Sequence, residues 1–280
     1  MRRDRLRPSC LAARIALSVG APAMGYARPM SPTLPFDHAR AFGLVANEYA
    51  VRRPTYPEAL FDWIAAEAPA RTLAIDVATG GGQGARGLLS RFDRVIATDH
   101  SAELLATLPA DPRLRTLAQP AEDLDVGEPA DVVTVFQALH WFAEPGFFER
   151  VRRTLRPGGR LFVVGYAWFN VDAAVDKVVA DTLLAALAPL WSPKNALLLN
   201  GYRDVSVPLA EQATPRFTIE LDWTREALLA YASTWSAVSR SRELGGIDPI
   251  AATDAALAPR WPTGDRRRVT MPLAVRAFRA

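Results

Sequence analysis

The chain has 280 residues, half of them hydrophobic, and a formal net charge of +3. Residues 1–30 contain six arginines and one acid, a charge of +5, so the rest carries −2 and gives no reason to expect nucleic-acid or anionic-membrane partners. The single cysteine, Cys10, excludes disulfides and thiolate metal sites from the remainder. No apolar run approaches the ~18 residues that a membrane span requires.

Residues 1–35 are expected to be a disordered leader, or an over-extended start with Met30 as the true first residue. A secretion signal is the other interpretation, since a basic start precedes the moderately apolar segment 11–27. Arg14, Gly20, Pro22 and Gly25 interrupt that segment, however. We therefore expect a cytoplasmic protein.

Helices are predicted at 36–51 and 57–68, on either side of a proline elbow at 52–57. From residue 71 onward, apolar runs alternate with helical segments. The predicted strands are 73–77, 95–98, 115–119, 131–136, 160–166, 217–223 and 269–278. The predicted helices that follow them are 84–91, 101–108, 145–155, 172–190, 225–240 and 249–257. Continuously apolar strands separated by helices indicate an α/β fold with a buried parallel sheet.

A glycine-rich turn follows the first strand, in the sequence Asp76-Val-Ala-Thr-Gly80-Gly-Gly82-Gln-Gly84. A strand, a tight turn and a helix N-terminus present free backbone N–H groups that can hold a nucleotide-like ligand. Asp99 closes the next strand, where an acid can accept both hydroxyls of a ribose, although a helix N-cap is the alternative role. The pattern predicts an adenosine-containing cofactor.

Two adenosine-containing cofactors fit this turn, a dinucleotide and S-adenosylmethionine. The dinucleotide is a candidate because Gly80-x-Gly82-x-x-Ala85 satisfies the dinucleotide fingerprint. The charge of Asp76 would oppose a pyrophosphate but attract the ammonium of S-adenosylmethionine. Charge therefore favours S-adenosylmethionine. The alternatives are a catalytically silent S-adenosylmethionine-binding protein and an NAD(P)-dependent oxidoreductase.

The turn resembles the first motif of class I S-adenosylmethionine-dependent methyltransferases. Further elements follow in that family's order: Ala121-Glu122-x-Leu124, the segment 131–142, and the segment 150–159 with its Pro-Gly-Gly turn. The resemblance covers about residues 36–280 and implies a Rossmann-like, seven-stranded, mostly parallel sheet with flanking helices and a helical cap. It implies an N-terminal cap at 36–70, a cofactor-binding core at 71–166 and a C-terminal half with helical insertions at 167–280.

The resemblance also implies a set of cofactor-binding residues: Asp76, Ala78, Gly80, Gly82, Gln83, Asp99, His100, Ala121, Glu122 and Gln137. Ala78 stands where the family commonly has glycine, and we expect it to adopt a negative φ. Pro120 replaces a common aspartate before the adenine segment. Recognition of the adenine amino group is thus left open between Glu122, Asp123 and a backbone carbonyl.

Three segments are similar to the small-molecule branch that includes trans-aconitate methyltransferase (methyltransferase type 11-like). They are Tyr49-x-x-x-Arg53-Pro54-x-Tyr56-Pro57, His140-Trp141-Phe142 and Thr234-Trp235-Ser236. This similarity implies a small-molecule acceptor, a carboxylic acid in particular, with Arg53 available to hold its carboxylate. The implied substrate-binding residues are Tyr49, Arg53, Tyr56, His140, Trp141 and Trp235.

His140 is the candidate catalytic base if the acceptor is a hydroxyl or an amine, since imidazole titrates near neutral pH. A packed histidine beside two aromatic residues is the alternative. Likewise, Trp141 and Phe142 either line the site or belong to the core, and Tyr49, Arg53 and Tyr56 either bind substrate or close the elbow. Methyl transfer needs alignment and exclusion of water rather than a metal, so no metal site is expected. We expect a monomer or weak dimer.

Overall fold

The computed structural model describes residues 52–245 and 248–280. The strands are β1 (Leu73–Val77), β2 (Arg94–Asp99), β3 (Leu114–Ala118), β4 (Ala130–Phe136), β5 (Leu155–Tyr166), β6 (Ala210–Gln212), β7 (Thr218–Thr224) and β8 (Arg266–Arg279). The helices are α1 (Glu58–Glu67), α2 (Gln83–Leu89), α3 (Ala102–Leu105), α4 (Pro145–Thr154), α5 (Ala173–Val179), α6 (Ala185–Leu187), α7 (Asn195–Leu199), α8 (Arg225–Ala232), α9 (Ser236–Glu243) and α10 (Pro249–Leu257). The predicted leader, the predicted helix 36–51 and Tyr49 lie outside the described residues.

Five parallel strands form one half of the sheet, in the order β3-β2-β1-β4-β5. β1 and β4 are buried along their whole length, as expected for central strands of a parallel sheet. Parallel strands end at one edge of the sheet, so the segments that follow β1, β2 and β4 lie close together. The predicted Rossmann-like α/β fold is confirmed.

β8 completes the sheet as an antiparallel strand. Its second half pairs with β5, from Arg160↔Arg279 to Tyr166↔Leu273, and with β6, whereas its first half pairs with β7. All seven predicted strands are present. The sequence did not predict β6 as an eighth, because the tripeptide Ala-Glu-Gln shows none of the alternation or β-branching typical of strands.

The predicted helix 225–240 is wrong in its middle, where the structure has a break. α8 ends and α9 begins four residues later, with Trp235 extended between them. The hydroxyls of Ser233 and Thr234 each donate to a carbonyl three residues earlier, at 2.7 and 2.6 Å. Short polar side chains that bond to the local backbone compete with helix continuation in this way.

Other predicted segments also differ from the structure. β5 begins at Leu155, five residues before the predicted start, although its pairing with β4 is irregular near the Pro-Gly-Gly turn. The segment predicted as one helix at 172–190 contains a π-helical stretch, Ala180–Leu184, between α5 and α6. Neither a register irregularity nor a π-helical stretch has a local sequence signal.

Two hydrophobic clusters cover the two faces of the sheet. Alternation along β1 assigns Ala74 to one cluster and Leu73, Ile75 and Val77 to the other. α1 packs on the first face through Phe61, and the contact with α2 is so close that a Cβ at Gly87 would lie 2.1 Å from the Phe61 ring. No helix within 52–245 or 248–280 is both long and apolar enough to cross a membrane.

Candidate cofactor and acceptor site

The turn between β1 and α2 uses three residues with left-handed backbone conformation. Gly80 and Gly82 have φ of 54° and 76°, a region that glycine occupies without steric cost. Ala78 has φ of 53°, so the expectation of a negative φ at this position was wrong. A Cβ in this conformation costs roughly 1–2 kcal/mol, and the surrounding turn therefore imposes it.

The buried carboxylate of Asp76 holds the glycine turn in place. Its carboxylate accepts hydrogen bonds from Thr134 Oγ1 on β4 at 2.8 Å and from Thr79 Oγ1 at 2.6 Å. Burial raises the pKa of Asp76 from 3.8 to about 6, although these hydrogen bonds act in the opposite direction. Gly84 permits this arrangement, because a Cβ there would lie 2.7 Å from Asp76 Oδ2 and 2.3 Å from the Phe136 ring.

Asp99 links the second strand to the glycine turn. Its Oδ2 accepts the Gly80 N–H at 2.9 Å, and its Oδ1 accepts the Ser101 N–H at 3.0 Å and lies 3.3 Å from His100 Nδ1. The N-cap of α3 is Ser101, whose hydroxyl accepts the Leu104 N–H, so Asp99 does not fill that role. Asp99 lines a cavity above the turn instead.

This first cavity has a volume of about 420 Å³ and lies over the ends of β1, β2 and β4. It brings together eleven of the predicted site residues: Arg53, Tyr56, Ala78, Gly80, Gln83, Asp99, His100, Ala121, Glu122, Gln137 and Trp141. Among the described predicted residues, Asp76, Gly82, His140 and Trp235 do not line it. Asp76 lies behind the turn, and Gly82 faces Leu108.

Gln119 and Lys194 are among the polar residues of the first cavity that the sequence did not identify. Gln119 directly follows β3, and its Nε2 is buried with no hydrogen-bond partner among the described residues. Lys194 reaches the cavity from the segment before α7 and donates to the Trp141 carbonyl at 2.7 Å. The one available signal for Lys194 was its rarity, since the chain has only two lysines.

A second, smaller cavity of about 80 Å³ adjoins the first. Four residues line both cavities and mark their junction: Arg53, Gln137, Trp141 and Tyr166. Arg53 donates to the Thr234 carbonyl at 3.2 Å and lies 5.6 Å from the centre of the Tyr231 ring. The proline elbow thereby contacts the break between α8 and α9.

His140 and Trp235 line the second cavity rather than the first. His140 is buried, and its Nδ1 lies 3.2 Å from the hydroxyl of Tyr202. Burial raises the pKa of the Tyr202 hydroxyl, which therefore stays protonated. His140 is thus both a packed residue, as one interpretation had it, and a residue of the second cavity.

Comparison with known proteins decides the family. Residues 75–163 match the family model described as a methyltransferase domain. The solved structure of a protein from Anaeromyxobacter dehalogenans, assigned as a type II methyltransferase, is 39% identical and has a TM-score of 0.75, over 81% of this chain and 97% of the other. The chain belongs to the class I S-adenosylmethionine-dependent methyltransferases.

Two further relatives carry methyltransferase names. An assigned methyltransferase of Dictyostelium discoideum is 26% identical over 80% of this chain and 87% of its own length. An uncharacterized methyltransferase of Mycobacterium tuberculosis is 35% identical over 49% of this chain and 55% of its own length, so the match spans about half of that protein. Both names agree with the family, and neither identifies an acceptor.

Family membership decides between the two cofactors that the glycine turn could hold. The methyltransferase uses S-adenosylmethionine. Membership of the branch that includes trans-aconitate methyltransferase stays a prediction.

Proposed function

We propose that this methyltransferase transfers a methyl group from S-adenosylmethionine in the first cavity to a small carboxylic acid in the second. The observation that carries the proposal is the junction of the two cavities at Arg53, Gln137, Trp141 and Tyr166. Arg53 places a permanent positive charge there, and none of the described residues that line the second cavity is an aspartate or glutamate. This charge balance favours an anionic acceptor over a cationic one.

The size of the first cavity suits the cofactor. S-adenosylmethionine has about 27 non-hydrogen atoms, and at roughly 10–15 Å³ for each water-sized group the cavity has room for roughly 28 to 42. Asp99 is positioned to accept ribose hydroxyls, since each carboxylate oxygen can accept more than one hydrogen bond. The buried Nε2 of Gln119 is a donor suited to a ring nitrogen of adenine.

The remaining cofactor contacts follow from charge. The Gly80 and Gly82 N–H groups donate to Asp99 and to the Thr79 carbonyl, so other backbone N–H groups of the glycine turn are suited to the carboxylate of the methionine part. Asp76 lies behind the turn, where its negative charge attracts the nearby ammonium without direct contact. Lys194 also lines the first cavity, and its positive charge can attract the carboxylate of the methionine part.

When bound, the cofactor would supply an electrophilic methyl group on a sulfonium. A carboxylate oxygen would form a bond to this methyl carbon as the carbon–sulfur bond breaks, which gives a methyl ester and leaves the cofactor as the neutral thioether. Arg53 holds the acid at the junction, so that one oxygen is oriented for in-line attack. Trp141 and Tyr166 line both cavities and exclude water from the path. A carboxylate needs no base. His140 would act only on a hydroxyl or amine acceptor, through the second cavity.

The test uses S-adenosylmethionine with a labelled methyl group and a panel of small acids, each paired with its neutral primary amide. We expect the label to pass to acids and to be released as methanol by mild base, as for methyl esters. Label that resists base, or a preference for the amides, would contradict the carboxylate assignment. Thermal shift with S-adenosylhomocysteine and with NAD separately reports the cofactor, with about 2.7 kcal/mol of stabilisation expected at 100 times the dissociation constant of the true ligand.

A further inference from the structure

The second cavity also carries information about the body of the acceptor. Resting on the proposed function, we propose that this cavity selects a flat, conjugated acid whose far end bears a group that both donates and accepts a hydrogen bond, such as a ring hydroxyl. Three observations support this: aromatic walls, two buried polar atoms that have no hydrogen-bond partner within residues 52–245 and 248–280, and the position of these features relative to the junction.

Six of the fourteen residues that line the cavity are tryptophan or tyrosine. Trp168, Trp191 and Trp235, here called the tryptophan triad, contact one another with ring centres 5.5–6.4 Å apart. None of the triad lines the first cavity, so the triad belongs to the second cavity alone. Flat indole faces pack against a planar ring more completely than against a puckered one, and an aromatic pair adds about 0.5–1.5 kcal/mol beyond area burial.

Two of the side chains that line this cavity each have one buried polar atom with no hydrogen-bond partner among the described residues. These atoms are Nε1 of Trp168, a donor, and Oδ1 of Asn195, an acceptor. The two side chains belong to residues that are only 7% and 8% exposed, and both residues line the second cavity. A buried polar group left unsatisfied costs about 1–3 kcal/mol. A ligand that satisfies both atoms would therefore recover free energy that the protein alone does not.

The position of these atoms orients the acceptor. Arg53 lies at the junction, whereas Trp168 and Asn195 line the second cavity alone. A carboxylate at Arg53 therefore directs the rest of the molecule toward the tryptophan triad and the two polar atoms. At roughly 10–15 Å³ per group, 80 Å³ holds roughly five to eight water-sized groups, the size of one six-membered ring with one substituent.

Binding to the protein saturated with S-adenosylhomocysteine tests the proposal without requiring turnover. The probes, measured by calorimetric titration, are 4-hydroxybenzoate, benzoate and cyclohexanecarboxylate, the last having a puckered ring of the same carbon count. We expect 4-hydroxybenzoate to bind about tenfold more tightly than benzoate, and benzoate about tenfold more tightly than cyclohexanecarboxylate. Equal affinities, or no binding of any of the three at millimolar concentration, would overturn the proposal.

Substitutions test whether the polar atoms of Asn195 and Trp168 cause the affinity advantage of the hydroxyl. Asn195→Leu is expected to abolish the advantage of the hydroxyl while leaving benzoate binding within about twofold. Trp168→Phe removes the N–H donor together with part of the indole face, so it is expected to weaken both aromatic acids and to weaken 4-hydroxybenzoate more. Asn200→Leu is the matched control, because Asn200 follows the same helix but lines neither cavity. If Asn195→Leu and Trp168→Phe weaken both acids equally, the polar atoms do not read the hydroxyl and the proposal is wrong. Failure of S-adenosylhomocysteine itself to bind would instead contradict the proposed function.

Discussion

The side-chain amide of Gln137 pairs with both backbone groups of Tyr166, donating to its carbonyl and accepting its N–H, each at 2.8 Å. The Gln137 N–H also donates to the Val164 carbonyl at 2.8 Å. The Gln137 side chain thus continues the hydrogen bonding between β4 and β5 beyond the last pair of backbone residues. Gln137 has φ of 57°, and strained residues of this kind concentrate at functional sites. This pairing holds together the strand ends that form the junction of the two cavities.

Gln137→Leu is expected to destabilise the protein by about 2–4 kcal/mol, because two hydrogen bonds are lost and the backbone groups of Tyr166 are left without them. Urea unfolding measures the effect. Gln212→Leu is the matched control, since that side chain donates only to nearby carbonyls and should cost less than about 0.5 kcal/mol. Similar losses in the two variants would mean that the pairing with Tyr166 adds nothing.

Ala78→Gly is expected to stabilise the protein by about 0.5–1 kcal/mol, since relief of the left-handed conformation exceeds the extra entropy of glycine in the unfolded chain. Ala74→Gly, in the interior of β1, should destabilise it by about 1 kcal/mol. Chemical denaturation of both variants gives the comparison. A loss of stability in Ala78→Gly comparable to that in Ala74→Gly would refute the argument.

Stability should depend on pH through Asp76. Its pKa is about 6 in the folded protein against 3.8 for the ordinary side chain, so the folded state binds the proton more tightly. The stabilising contribution is therefore complete below pH 3.8 and is lost as the pH rises through 6, by up to about 3 kcal/mol. The measured quantity is the difference in unfolding free energy between wild type and Asp76→Asn from pH 4 to pH 7. A difference that does not change with pH would contradict the assignment.

Arg53→Ala is expected to raise the KM of acid acceptors about 10–100-fold, since a hydrogen bond to a charged group contributes about 1.5–3 kcal/mol. The KM of neutral acceptors should change little. Arg53→Lys keeps the charge but not the planar fork and should restore part of the loss. Arg52→Ala serves as control, because Arg52 contacts Ser233 next to the same helix break but does not line either cavity. Equal effects on acid and neutral acceptors would exclude carboxylate binding by Arg53.

The cofactor half of the site could be predicted because its signals are local. The turn from Asp76 to Gly84 and the acid at Asp99 each follow an apolar strand, and parallel topology brings such strand ends together. The sign of φ at Ala78 was missed, since alanine is compatible with either region and only the closure of the turn determines it.

The acceptor half could not be predicted in the same way. Its tryptophan triad combines Trp168 after β5, Trp191 before α7 and Trp235 at the helix break. No periodicity connects positions so far apart in the chain, and tryptophans read one at a time are as typical of a core as of a site. Trp235 was predicted as a substrate-binding residue from a family resemblance. Trp168 and Trp191 could be identified as site residues only from the fold, which places them in contact.

The pairing of β8 has a consequence for the order of folding. β8 follows all of its partners in the chain, and β5, β6 and β7 each pair with it. During synthesis, one edge of β5 therefore stays without its neighbour until residues 266–279 have left the ribosome. An unpaired buried strand edge is a template for wrong association. The nascent chain should accordingly depend on chaperones most while its final antiparallel strand is still inside the exit tunnel.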